Sequence, residues 1–376
     1  MRLTANEVGP LKGLGGSNPL VSALNQLGAT MTKVKAYVAP SEGAPLEATM
    51  IDRREVGLDD VQFDVLFCGI CHSDIHTVRG EWGQQAYPLA PGHELAGKVT
   101  AVGSNVTKFK AGDRVGVGCL VNACLQCEPC KSGHEQFCEN GATFTYGSTD
   151  RDGTITQGGY SQSAVVNHNF VVHIPENLPL DAAAPLLCAG STLYAPLKRW
   201  NAGPGKKVAI IGFGGLGHVG LKLAKAMGAE VTILSRSDNK REDALKMGAV
   251  AFHKMDAEAF ASLAESYDLI LNTVSATVDT PAYYNLLKFD GAYVVIGADP
   301  TPSVSLSTSV GVSKQRVFTL SLISGVQETQ DMLNFCGEHN VLPEIEVIPA
   351  SYINEAFDRV VASDVRYRFV IDNSTM

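Results

Sequence analysis

Two textures of hydrophobic and polar positions divide the chain. In residues 34–39, 61–67, 95–102 and 113–117, short apolar runs alternate with polar positions and are separated by Gly/Asp turns. Residues 165–166 and 171–174 continue the pattern. A period of two predicts strands with one buried face, so this part reads as an all-β module of barrel type. From about Asp181 the texture changes. Ala- and Leu-rich stretches with helical spacing alternate with short β-branched runs at 207–211, 230–234, 267–272, 292–296 and 317–321. That alternation predicts βαβ units and a parallel sheet. Val219, Leu223 and Met227 share one stripe of a predicted helix over 218–228, and a further helix is predicted over 328–338. A last run, Tyr367-Arg368-Phe369-Val370-Ile371-Asp372, reads as a strand that returns to the first module.

With 376 residues, two domains are expected. They divide as 31–180, completed by 325–376, and 181–324, after an N-terminal extension of 1–30. That extension is turn-rich around Gly13-Leu14-Gly15-Gly16-Ser17-Asn18-Pro19 and lacks a charged region leading into a long apolar one. The net charge of −9 argues against a general nucleic-acid or membrane-surface role. No apolar run reaches the roughly 18 residues of a membrane span. Nine cysteines without a secretory signal favour a reducing compartment, so a cytoplasmic location is expected and metal binding takes precedence over disulfides.

The densest chemistry lies in Cys71-His72-Ser73-Asp74-Ile75-His76 and the Gly92-His93-Glu94 that follows. Cys71 and His93 are candidate ligands of a catalytic zinc, with Cys188 as the third; three protein ligands leave the open position such a metal needs. His93-Glu94-Leu95-Ala96-Gly97 lacks the second His of a zincin protease. Trp82 and Tyr87 are candidate pocket walls. Cys124, Cys127, Cys130 and Cys138 form C-x2-C-x2-C-x7-C in a polar loop. Four thiolates so spaced can close on a structural zinc, with an iron–sulfur cluster as the alternative. Gly212-Phe213-Gly214-Gly215-Leu216-Gly217 falls between a predicted strand and a predicted helix. In that context Gly212, Gly214, Gly215, Leu216 and Gly217 mark a dinucleotide turn whose backbone and helix start face a pyrophosphate. Ser321, which ends the 317–321 run, and Ile323 just beyond it fall on the same carboxyl edge of the sheet. An NAD site places a carboxylate about 20 residues beyond the turn. Here the strand ends at Ser235, and Arg236, Ser237 and Lys240 are suited to clamp a 2′-phosphate, which points to NADPH; Asp238 is a nearby acid that favours NAD.

Together these segments resemble the zinc-dependent medium-chain alcohol dehydrogenases, most closely the cinnamyl alcohol dehydrogenase type that includes NADPH-dependent aldehyde reductases. The resemblance rests on Cys68-Gly69-Ile70-Cys71-His72-Ser73-Asp74-Ile75-His76, Pro91-Gly92-His93-Glu94, the four-cysteine loop, Leu186-Leu187-Cys188-Ala189-Gly190, the glycine turn and the final strand, in the family's order. It implies an α/β chain with a GroES-like β-barrel catalytic domain around a doubly wound Rossmann domain. It implies catalytic zinc on Cys71, His93 and Cys188 with Glu94 beside the metal, and structural zinc on the four clustered cysteines. It further implies that Ser73 and His76 relay a proton, that Asp74 orients His93, that Thr192 contacts the nicotinamide, and that the protein is a homodimer reducing an aldehyde with NADPH. An NAD-dependent polyol or glutathione-adduct dehydrogenase and a zinc-free NADPH-binding protein are the other classes considered. Ser235 argues against the former and the intact Cys71, His93 and Cys188 against the latter.

Overall fold

The computed structural model describes residues 31–297, 306 and 311–376; the predicted extension 1–30 lies outside them. The alternating runs form a seven-stranded sheet. Its central pair, Asp60–Gly69 and Leu95–Val102, is antiparallel, and Arg114–Val117, Val172–His173 and Ser163–Asn167 extend it. The last strand of the chain, Arg368–Asp372, pairs antiparallel with Asp60–Gly69 and carries Ile345–Pro349 on its other side. The C-terminal segment thus returns to the first sheet, as its apolar run predicts.

A hairpin of Thr32–Val38 and Glu47–Arg53 lies beside this sheet. The second of these strands is absent from the predicted set. Its residues are exposed or half-buried throughout, so no buried alternation marks it.

The second texture forms a six-stranded parallel sheet in the order Ala251–Lys254, Glu230–Ser235, Lys207–Ile211, Tyr267–Asn272, Leu287–Val295, Val317–Leu320. The chain starts in the middle, runs to one edge and resumes beside the first strand. A crevice therefore opens at the carboxyl ends of Lys207–Ile211 and Tyr267–Asn272, where such sheets bind ligands. Four of the five residues of Lys207–Ile211 are buried, as expected for a parallel strand covered on both faces.

One apolar core joins the two sheets. It contains Ala96, Val172 and Ile174 from the first, Val208, Ile210 and Leu271 from the second, and Leu186, Leu187 and Leu193 between them. A second core, around Phe63, Val65, Tyr160 and Phe369, fills the first module alone.

Candidate active site

The strand Asp60–Gly69 delivers Cys71 to the start of a short helix, His72–Val78. Asp74, fully buried, is the hub of this corner. Its carboxylate accepts from the Cys71 N–H (2.9 Å), the Gly92 N–H (3.2 Å) and the Tyr160 hydroxyl (3.1 Å). The same carboxylate lies 3.0 Å from His93 Nδ1, which it holds as a donor. The other ring nitrogen, Nε2, is left facing Cys188 Sγ at 3.2 Å. A carboxylate behind the imidazole is the usual device for aiming a histidine at a metal.

Cys188 arrives from the other direction. It sits in a single π turn, Leu186–Gly190, between the helices Leu180–Pro185 and Ser191–Arg199. Such π bulges are frequent at functional sites. The Ser191 hydroxyl donates to the Cys188 carbonyl at 3.0 Å. Cys188 Sγ lies 4.0 Å from Cys71 Sγ. Donor atoms of Cys71, His93, Glu94 and Cys188 all fall within 4.8 Å of one another, and all four residues are buried. Hydrogen bonding from Cys188 holds the Cys71 thiol well below its usual pKa, against the effect of burial; Cys188, beside Cys119 and Cys71, is raised. Two thiols, an imidazole nitrogen and a carboxylate in one buried cage fit a zinc ion.

Glu94 faces two ways. One carboxylate oxygen accepts from Arg368, which also donates to the Ile70 carbonyl at 3.0 Å; the other oxygen has no protein partner among the described residues. Gly69 is needed here, because a Cβ would come within 1.8 Å of Glu94 Oε2. Burial pushes the Glu94 carboxyl up to about 7 against the pull of Arg368. Burial also opposes the charge on Arg368, but Glu94 and the nearby thiols outweigh it and raise its pKa. Direct contact between guanidinium and carboxylate favours the ionised pair, since an isolated buried cation is far more costly.

His76 lies one turn beyond Ser73 on the short helix. Its ring stacks between His72 (4.6 Å) and Trp82 (5.0 Å). Glu81 holds its Nδ1, while Nε2 is buried without a protein partner among the described residues. Ser73 Oγ lies 3.5 Å from Cys71 Sγ. Trp82 is therefore at the site. The Tyr87 hydroxyl donates to the Val78 carbonyl at the far end of the helix (3.0 Å).

The four clustered cysteines converge as their spacing predicts. Cys124 and Cys130 sulfurs are 3.9 Å apart and those of Cys127 and Cys138 4.0 Å. Backbone N–H groups of Gln126 and Cys127 donate to Cys124 Sγ, and that of Cys124 to Cys138 Sγ. The Asn140 side chain and these backbone donors hold the Cys124 thiol down to about 5. Amides aimed at sulfur suit thiolates gathered on a metal.

In the second sheet, Gly212 follows Lys207–Ile211 with φ +89°, a conformation that favours glycine, and the helix Gly217–Ala226 starts after the turn. Gly215 packs against Arg368, so the glycine turn and the Cys71 cage share one neighbour. Ser235 ends its strand half-buried, and Arg236 and Ser237 are exposed. Asp238 is held by Arg241, with Oδ1 3.0 Å from Nε and 2.5 Å from a terminal nitrogen. Lys240 lies over the Tyr367 ring at 4.9 Å. Thr192 is buried on the helix after Cys188. Ile323 lines a small cavity with Cys119, Leu187, Ser191 and Thr329, and Ser321 is fixed by its N–H to the Val295 carbonyl.

Arg368, Glu81, Tyr160 and Cys119 hold or border these groups, and no motif singles them out. Arg368 belongs to the last strand of the family pattern without a role attached. Glu81 lies five residues beyond His76, outside the Cys71–His76 motif.

Comparison with known proteins gives this geometry a family. The alcohol dehydrogenase GroES-like domain matches residues 57–176, and the zinc-binding dehydrogenase domain matches residues 215–338. NADP-dependent alcohol dehydrogenase C 1 of Mycolicibacterium smegmatis is 59% identical over 348 residues, covering 92% of this chain and 99% of that one. Aldehyde reductase YahK of Escherichia coli is 48% identical, with coverage of 92% and 99%. Among solved structures, the cinnamyl alcohol dehydrogenase SbCAD4 of Sorghum bicolor superposes with a TM-score of 0.88 at 43% identity, covering 91% of this chain and 98% of that one. A cinnamyl alcohol dehydrogenase of Helicobacter pylori, complexed with NADP(H), gives 0.86 at 39% identity, with coverage of 92% and 99%. Both domain types are present in order and the relatives match along nearly their full length, so the chain belongs to the zinc-dependent medium-chain alcohol dehydrogenase family.

Proposed function

We propose that the chain catalyses reversible, NADPH-dependent reduction of an aldehyde to a primary alcohol. The observation that carries this reading is the buried cage of Cys71, His93, Glu94 and Cys188, closed between the first sheet and the helix that leads into the nucleotide-binding sheet. Zinc held by Cys71, His93 and Cys188 supplies a Lewis acid for the carbonyl, and the nicotinamide supplies hydride. Asp74 fixes His93 so that only Nε2 is presented to the cage. Ser73, beside Cys71, delivers a proton to the substrate oxygen. His76, one helical turn away, resupplies Ser73, and Glu81 sets the ring nitrogen that His76 uses. Trp82 supplies an apolar wall, which suits an aldehyde with an aromatic or other apolar body. Thr192 borders the nicotinamide, with Ser321 and Ile323 on the same side of the crevice.

NADPH is favoured over NADH because the strand Glu230–Ser235 ends on a hydroxyl rather than on a carboxylate. Ser235, Arg236, Ser237 and Lys240 remain to receive a 2′-phosphate. The four-cysteine loop holds a second zinc, Cys124, Cys127, Cys130 and Cys138 being its ligands, with a structural role. The domains divide at 180/181 and 324/325. A cytoplasmic homodimer is the expected form; all nine cysteines are free, as in a reducing compartment, and no helix among the described residues is long and apolar enough to cross a membrane.

The test is metal analysis together with steady-state kinetics over a panel of aldehydes. We expect two zinc ions per chain and a preference for NADPH of about 10- to 150-fold, the value of one or so charged hydrogen bonds. Ser235→Asp combined with Arg236→Ala should reverse that preference, mainly through the KM for cofactor. Iron in place of zinc, or equal use of NADH, would overturn the corresponding part of the reading.

A further inference from the structure

The segment Arg366-Tyr367-Arg368 touches three parts of the cleft at once. Arg368 bridges to Glu94 and lies against Gly215. Tyr367 stacks on His218 of the pyrophosphate-facing helix (4.9 Å, 21°) and donates from its hydroxyl to Asp243 Oδ2 at 2.6 Å. Arg366 Nε reaches the same Asp243 oxygen at 3.1 Å, and its guanidinium lies 5.8 Å from the Tyr367 ring. Lys240 sits over that ring too, at 4.9 Å. Burial, and after it the charge of Arg366, lowers the Lys240 pKa, with Asp243 and Asp364 opposing. Two cations are therefore held side by side around one tyrosine. Their shared counter-ion, Asp243, is partly exposed: side chains in the Arg366–Asp243 pair are 48% and 40% accessible. A pair so exposed contributes little by itself. Such an arrangement gains most when a dianion arrives.

We propose that Arg366 is a third cation for the cofactor 2′-phosphate, supplied by the C-terminal segment rather than by the loop after Ser235. The inference rests on the NADPH reading above and extends it. Arg236 and Lys240 come from the nucleotide-binding sheet. Arg366 comes from the segment that returns to the first sheet, so a 2′-phosphate ties the two modules together. Arginine suits the role because its planar fork can leave Asp243 for two phosphate oxygens.

Calorimetric titration of the full-length, zinc-loaded protein with 2′,5′-ADP and with 5′-AMP tests this, because the ligands differ only in the 2′-phosphate. The parent protein should prefer 2′,5′-ADP. Arg366→Ala should bind 2′,5′-ADP about tenfold more weakly, the low end for a charged hydrogen bond, with 5′-AMP binding unchanged. Arg366→Lys should keep part of the preference, and Arg236→Ala serves as the reference loss within the loop. If the parent does not discriminate between the two ligands, the NADPH reading itself falls. If the parent discriminates and Arg366→Ala retains the full preference, Arg366 is only a surface ion pair and the inference is wrong. Equal weakening of both ligands would show a structural role for Arg366 and would also overturn it.

Discussion

His76 and Glu81 show how much of the chemistry depends on single contacts. A relay residue must present one ring nitrogen in a fixed direction. In the proposed relay, Glu81 on Nδ1, with His72 and Trp82 on the two ring faces, would leave Nε2 as the working atom. His76→Ala should lower kcat by on the order of 10²-fold, within the range of a general acid–base group. Glu81→Gln should cost less, about tenfold, as partners behind a reacting group do. NADPH affinity should be unchanged in both, which fluorescence titration can check. A Glu81→Gln protein with parental turnover at every pH would remove Glu81 from the relay. His218 makes a different point. Burial holds it neutral, with its pKa lowered from 6.5 to about 3, while Nδ1 donates to the Gly214 carbonyl and Nε2 accepts from the Glu344 N–H. Between those values the unfolded chain binds a proton that the native chain refuses. Stability is therefore lost as pH falls from about 6.5, by roughly 1.4 kcal/mol per unit for this one group. His218→Gln keeps a donor and an acceptor without the titration. Urea unfolding of that variant should show a pH slope smaller by about one proton below pH 6; an unchanged slope would place the acid sensitivity elsewhere.

At the scale of elements, the four-cysteine loop is a unit ordered by its sulfurs. Between Cys124 and Cys138 the helix Glu128–Lys131 buries only Cys130. Little apolar surface holds the loop, so metal binding must supply much of its order. Cys127→Ala should release one zinc of two and lower the melting temperature, and limited proteolysis should then cut within residues 124–138. Cys71→Ala should release the other zinc and nearly all activity while the melting temperature stays close to the parent's. If both variants lose the same metal, the two-site assignment fails. Elements also explain what the sequence makes legible. Strands with a buried face, such as Asp60–Gly69 and Leu95–Val102, announce themselves by alternation, and the glycine turn by its place between strand and helix. Glu47–Arg53 has no buried face, and Ala251–Lys254 is a four-residue edge, so neither carries a pattern. Likewise Cys71, His93 and Asp74 sit in dense local motifs. Arg368 gains its meaning only because Arg368–Asp372 pairs beside Asp60–Gly69 and brings it onto Glu94, 274 residues away.

At the scale of the whole molecule, an edge of the parallel sheet is left unpaired among the described residues. Among the described residues, Val317–Leu320 ends the parallel sheet, paired on one side by Leu287–Val295. Phe318 is packed on Tyr293, but Leu320 is 69% exposed, with Leu322 and Val312 also exposed. An apolar strand with a free edge is a template for pairing with another chain, and soluble proteins normally blunt such edges with charge or cover them. Here no Lys or Pro blunts the strand, so a second copy across this edge would bury it and extend the sheet, which supports the expected homodimer. A stable dimer needs roughly 1,200–2,000 Å² of buried surface, more than one four-residue strand offers, so flanking residues must contribute. Sedimentation velocity at micromolar concentration should give twice the 39.9 kDa chain mass. Leu320→Lys places a charge on the edge and should shift the protein to monomer. Zinc content should be unaffected, since both cysteine sites lie in other elements. A parent that sediments as a monomer would end the homodimer reading. A Leu320→Lys protein that remains dimeric would move the interface away from this edge.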